Sequence, residues 1–136
     1  MSLAFEELAH WQIWRLARAG RLPFAPDRVG AWWDGQHQID VVAIGEGGLL
    51  LGECKWSTRA IGVGILDQLK RSGASLLAGE GYLKTGHPIT YTLFSRSGFT
   101  PELRELAARE NVILVEASNL ATPIGPDNSP IAVTIG

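Results

Sequence analysis

Asp40, Glu53 and Lys55 are the residues whose types and spacing could do chemistry. They stand in the most apolar part of the sequence, within "QIDVVAI" (38–44) and "LLLGECK" (49–55), where core residues would be expected. Two carboxylates brought together in apolar surroundings repel each other. They need a raised pKa, a nearby cation or a bound metal to offset that. A divalent cation taking an oxygen from each acid would remove the repulsion and keep positions open for water and phosphate oxygens. Such a cation lowers the pKa of a bound water, and Lys55 could orient that water or stabilise charge on a phosphorane-like transition state. The reaction this would serve is in-line hydrolysis of a phosphodiester. On these three residues alone, a solvated ion pair in which Lys55 bridges both acids at the sheet end is an equally good account.

The two runs that carry these residues flank "GEGG" (45–48), which is a hairpin signal. With Glu46 and Gly47 at the centre of the turn, Ile44 faces Leu49, Val42 faces Leu51 and Asp40 faces Glu53. The other side pairs Ala43 with Leu50, Val41 with Gly52 and Ile39 with Cys54. Directly opposed β-carbons lie about 4.5–5.5 Å apart, so this register brings the acids together, with Lys55 one step further along the same face. Both faces of the hairpin are apolar, as in central strands covered on both sides.

Around the hairpin, residues 3–19 read as a helix with Phe5, Leu8, Ala9, Ile13 and Leu16 at helical spacing and Ser2 as cap; Glu6 lies at the edge of that stripe. Gly20 ends it, "RLPFAP" is loop, and "VGAWWDG" is a short strand running into a turn. Residues 62–79 form a second helix with Ile65, Leu66, Leu69, Gly73, Leu76 and Leu77 on one face. "PITYTLFS" is a strand, Thr100 and Pro101 start a short helix, and "NVILVEA" is the last clear strand. Helix, three strands, helix, strand, helix, strand is an α/β layer architecture with a mixed sheet. The domain is expected over residues 1–117. Residues 118–136, with three prolines, read as a tail in which "IAVTIG" could add an edge strand.

Other polar and aromatic residues carry less. Trp32 and Trp33 could stack on bases, but at least one is expected in the core. The alternation turns the Cys54 thiol away from the Glu53 face, against a role as nucleophile. His10, His37 and His87 have no ligand-like spacing. Arg15, Arg18, Arg21, Arg59, Lys70 and Arg71 could touch phosphates, although arginines on helix surfaces are usually only solvated. Nothing marks the serines of "SRSGFT" as nucleophiles; they read as a strand end and a cap.

Composition sets the outer bounds. The 136 residues are 46% hydrophobic with five tryptophans, which is globular and enough for a core. A single cysteine forbids an intrachain disulfide and fits a reducing compartment. No apolar run is long enough to cross a bilayer and no signal peptide is evident, so a cytoplasmic protein without a membrane partner is expected. A net charge of −2 is unlike a strong free-standing nucleic-acid binder, so a polyanion would have to be held by a local patch or a metal.

Asp40, twelve residues, then Glu53-Cys54-Lys55, with a Glu-bearing helix before and a helix after, resembles the PD-(D/E)XK nuclease superfamily. "VGAWWDGQHQIDVVAIG", "GECKW" and "FSRSGFT" are similar to the nuclease-like domain of unknown function found C-terminal to archaeal-type ATPase modules. The similarity runs over roughly residues 5–116. It implies a restriction-endonuclease-like three-layer α/β/α fold with a central mixed sheet, and a Mg²⁺-dependent (or Mn²⁺-dependent) DNA endonuclease. Asp40 and Glu53 match the metal-binding acids, Lys55 the catalytic lysine, and Glu6 the helix-borne acid that supports the metal; Cys54, between Glu53 and Lys55, is counted with the metal set. Gln68 falls where several members place a glutamine near the site. Ile39 replaces the proline that often precedes the Asp. No G-x-x-x-x-G-K-[S/T] loop occurs, so the chain is not expected to be the ATPase itself. Expected partners are nucleic acid, DNA first, an ATPase module in a longer protein or in trans, and a second copy of the chain as a homodimer. The competing expectation is a module of the same fold that binds DNA or protein without cleaving.

Overall fold

The computed structural model describes residues 3–79, 88–116 and 133–135. The elements are α1 (Leu3–Arg18), β1 (Pro26–Trp33), β2 (Gln38–Gly45), β3 (Gly48–Lys55), α2 (Val63–Gly79), β4 (Ile89–Ser95), α3 (Pro101–Glu110), β5 (Ile113–Glu116) and β6 (Val133–Ile135). The strands form one sheet in the order β1-β2-β3-β4-β5-β6. β1, β2 and β3 pair antiparallel, β4 and β5 run parallel to β3, and β6 closes the far edge antiparallel to β5. The sheet is therefore mixed. The Ser2 cap and most of the 118–136 tail lie outside the described residues, as does His87.

Helices cover both faces. α1 lays Phe5, Ala9, Ile13 and Leu16 on Val41, Ala43, Leu50, Phe94, Ile113 and Val115. On the opposite face, Leu66, Leu69 and Leu76 of α2 and Leu103 and Ala107 of α3 meet Val42, Leu49, Leu51, Leu93 and Leu114. Each fully buried leucine adds about 1.5–3 kcal/mol relative to exposure. This double cover is why β2 and β3 are apolar on both sides, and it makes the fold a three-layer α/β/α sandwich.

The helix ends follow local chemistry. Arg21 N–H bonds the carbonyl of Leu16 and Gly20 N–H that of Ala17, with Gly20 at φ +73°. This is the paired closure that ends a helix in a left-handed residue. Thr100 Oγ1 accepts from Leu103 N–H at 3.2 Å and caps α3 in front of Pro101.

The hairpin register is the expected one from Ile44–Leu49 to Val41–Gly52. Beyond that the strands depart from simple alternation. Between the pairs Gly30–Val42 and Trp32–Ile39, β1 advances two residues and β2 advances three. The extra residue is a bulge in β2 around Asp40 and Val41, a device found beside functional sites because it re-aims a side chain. It carries Ile39 to the α2 side, beside Val42 and Leu51, while Cys54 stays on the α1 side with Val41. The expected Ile39–Cys54 pairing on one face is thus not made. A second correction is at β1, which starts at Pro26 rather than Val29, with a further register shift between Pro26 and Arg28.

Candidate functional site

A cleft of about 530 Å³ opens where β2 begins and β3 ends, against α2. Asp40, Glu53, Cys54 and Lys55 line it from the hairpin, Gln68, Arg71 and Ser72 from α2, Gln36 to Gln38 from the β1–β2 loop, and Trp56 and Ser57 from the segment after β3. Of the candidate residues in the sequence, Asp40, Glu53, Cys54, Lys55, Gln68 and Arg71 therefore line one cleft. Glu6 reaches the same cluster from α1, where it hydrogen-bonds Asp40.

Asp40 is the hub. It is 2% exposed. Its Oδ2 accepts the backbone N–H of Cys54 at 3.0 Å, across to β3, and its Oδ1 accepts from Gln38 Nε2 at 2.9 Å. The bulge lets the side chain take a donor that would otherwise seek a backbone carbonyl of β2. His10 Nε2 donates to the Asp40 carbonyl at 2.8 Å and ties α1 to the bulge.

Glu53, 7% exposed, shares a hydrogen bond with Asp40. Burial, that hydrogen bond and the Asp40 charge push its carboxyl up to about 9, against the weaker pull of Lys55. Burial and then Asp40 also raise Glu6. At neutral pH Glu53 accordingly keeps its proton, and a cation entering there would displace it. The donors are hard carboxylate oxygens, the set that suits Mg²⁺ or Mn²⁺. Among the described residues no group of three or more His, Cys, Asp and Glu side chains forms a ready cage. Asp40 and Glu53 can hold an ion from one side only, which leaves its remaining positions to water and substrate.

The Cys54 thiol does not join this set. It is packed among Phe5, Ala9 and Ile13, 2% exposed, and burial followed by the charges of Asp40, Glu53 and Glu6 pushes it up, so it stays protonated. Only its backbone N–H serves the cluster, through Asp40.

Sequence reasoning missed several neighbours. His10 lies four residues after Glu6 and Gln38 two before Asp40, so helical and strand periodicities put each beside a residue already chosen. Ser72 follows Gln68 by four positions on α2, next to Arg71, which the sequence already offers as a phosphate contact. The loop wall was not legible. Asp34 accepts from Gln36 N–H and His37 N–H and from the Ser75 hydroxyl of α2, and that hydroxyl first, then the two amides, holds its carboxyl well below the usual range. Of the tryptophan pair, Trp32 packs on the α2-side core and Trp33 is exposed. Lys70 pairs with Glu110 of α3, away from the cleft.

A family model, DUF234, described as archaea bacterial proteins of unknown function, matches residues 1–68. That span contains Glu6, Asp40, Glu53, Lys55 and Gln68. No curated protein matches the chain. The crystal structure of a protein of unknown function, AF1548, is similar at 20% identity and a TM-score of 0.48, over 83% of this chain. The chain spans 59% of that protein's length. Among the described residues no helix is long and apolar enough to cross a membrane.

Proposed function

Because the chain belongs to this family of archaeal and bacterial proteins of unknown function, its activity has to be argued from the site, and we propose that the cleft is the active centre of a Mg²⁺-dependent phosphodiesterase acting on DNA. The observation that carries this reading is the pairing of two buried acids, Asp40 and Glu53, with Lys55 and Gln68 in the same cleft. Such a pair is costly to a fold, and the hydrogen bonds that Asp40 makes to Cys54 N–H and Gln38 do not require a second acid beside it. The resemblance to PD-(D/E)XK nucleases, with its restriction-endonuclease-like fold, supports the same reading.

A Mg²⁺ ion held by Asp40 and Glu53 would supply charge neutralisation at the phosphate and a more acidic water. The chain's own residues do the rest. Cys54 N–H and Gln38 fix the Asp40 carboxylate, so that it need not reorganise during the reaction. Glu6 and His10 hold the bulge from α1. Lys55 donates to the phosphoryl oxygens as negative charge gathers there, or orients the attacking water, and Gln68 offers amide donors from α2. Work beside an ATPase module is part of this proposal, and it rests on the resemblance alone.

The absence of a three-ligand cage among the described residues favours a second reading, a DNA- or protein-binding module that does not cleave. The two are separated by incubating the protein with DNA and Mg²⁺ or Mn²⁺ beside Glu53→Gln: the proposal requires metal-dependent cleavage that the variant loses, and no cleavage by either supports the binding module.

A further inference from the structure

Trp56 follows Lys55 directly and lines the cleft, yet remains 47% exposed. Trp11, Trp14 and Trp33 are exposed as well, and single exposed aromatics are ordinary. What sets Trp56 apart is that its ring is held from two directions at the edge of a polar cleft. Phe5 and Trp56 pack in a T-shaped arrangement, with centroids 4.8 Å apart and planes at 63°. The Arg96 guanidinium lies 5.0 Å from its ring centre. The parallel ladder sets this up: Lys55 pairs with Ser95, so Trp56 and Arg96 leave the carboxyl ends of β3 and β4 side by side, and Arg96 N–H bonds the Lys55 carbonyl at 3.1 Å. Ligands of open α/β sheets bind at those carboxyl ends. Arg96 makes no ion pair with a carboxylate among the described residues, so its charge remains available beside the acidic cluster.

We infer that Trp56, backed by Arg96, is a stacking platform for an unpaired base next to the bound phosphodiester, so that the site takes single-stranded or locally unpaired nucleic acid. The word "next" rests on the phosphodiesterase reading above; the stacking does not. Base faces inside a duplex are covered by their neighbours, so an aromatic ring can take only a base outside the stack. A ring already fixed by Phe5 and Arg96 loses little freedom on binding, and a guanidinium stacks on a π-face while contacting phosphate. In a chain of net charge −2, stacking also supplies affinity that general electrostatics does not.

The test is fluorescence anisotropy with Ca²⁺ in place of Mg²⁺, using a labelled thymidine oligonucleotide, an abasic strand of equal length and a duplex. Cleavage of each with Mg²⁺ is followed separately. The platform predicts that the thymidine strand binds about 10- to 100-fold tighter than the abasic strand. Trp56→Ala should remove that difference without changing the abasic affinity. Trp56→Phe, which keeps a ring against Phe5, should retain most of it and covers the case in which the alanine variant does not fold. Equal binding of thymidine and abasic strands by the wild type, or tighter duplex binding, overturns the inference even if cleavage occurs. A Trp56-dependent preference without any cleavage sustains the platform and overturns the phosphodiesterase reading.

Discussion

Glu53 can ligate a cation only as a carboxylate, and without one it keeps its proton to about pH 9. That has a consequence for stability. An unfolded glutamate loses its proton near pH 4.5; the folded one holds it, so the folded state binds more protons across that interval and stability falls as pH rises through it. The metal-free protein should therefore lose melting temperature steadily from about pH 5 to pH 9, and Glu53→Gln should flatten that decline and melt higher at the alkaline end. A metal-free melting temperature that climbs over this range, with Glu53→Gln unchanged, would contradict the assignment. Mg²⁺ should stabilise the wild type by mass action, more strongly as pH rises because it competes with the proton, and should do nothing for Glu53→Gln. Asp40 is less clean a probe, since its oxygens also hold Cys54 N–H and Gln38. At this scale the sequence revealed the acids and the lysine because charges interrupt an apolar run. His10 and Gln38 were hidden because their roles, a bond to a main-chain carbonyl and a bond to one carboxylate oxygen, leave no compositional trace.

Elements place these residues through close packing, and two substitutions measure it. Gly52 pairs with Val41 at the last regular rung before the bulge. A β-carbon there would lie 2.8 Å from Thr92 Cγ2 and 3.0 Å from Val41 Cβ, so Gly52→Ala should destabilise by about 1–3 kcal/mol in a denaturant titration; a neutral effect would mean that β3 can shift and does not fix Glu53. On α1, Gln12 is fully buried with neither amide atom bonded. Gln12→Leu should raise stability by about 1–3 kcal/mol, the usual cost of an unsatisfied polar group, and a loss instead would reveal a polar partner for that amide. Hydrophobic spacing made the helices and the hairpin register legible. The bulge was not, because it comes from the pairing of β2 with β1, whereas alternation was read along β2 and β3 alone. Its effect on Ile39 follows from one extra residue reversing the face.

Across the whole molecule, one sheet gathers Glu6 from α1, Asp40 from β2, Glu53 and Lys55 from β3 and Gln68 from α2, over more than sixty positions of sequence. The layer order was readable because β2 and β3 are apolar on both faces and must be covered twice. Two contacts beside the cleft were not, since Asp34 meets Ser75, and Trp56 meets Arg96, only once the elements are placed in space. The modest net charge predicts weak, salt-sensitive association with nucleic acid, so activity should be sought at low salt and high protein concentration. The central claim is that Lys55 acts on a phosphodiester in the transition state, and the direct measurement is cleavage of plasmid, single-stranded and branched DNA with Mg²⁺ or Mn²⁺ by the wild type and by Lys55→Ala, with affinity measured in parallel. Only interactions stronger in the transition state alter the chemical step, so Lys55→Ala should lower the cleavage rate by about 100-fold or more while the slope of log affinity against log salt changes by about one unit. Cleavage by Lys55→Ala at the wild-type rate, or none by the wild type on any of these substrates, would contradict it.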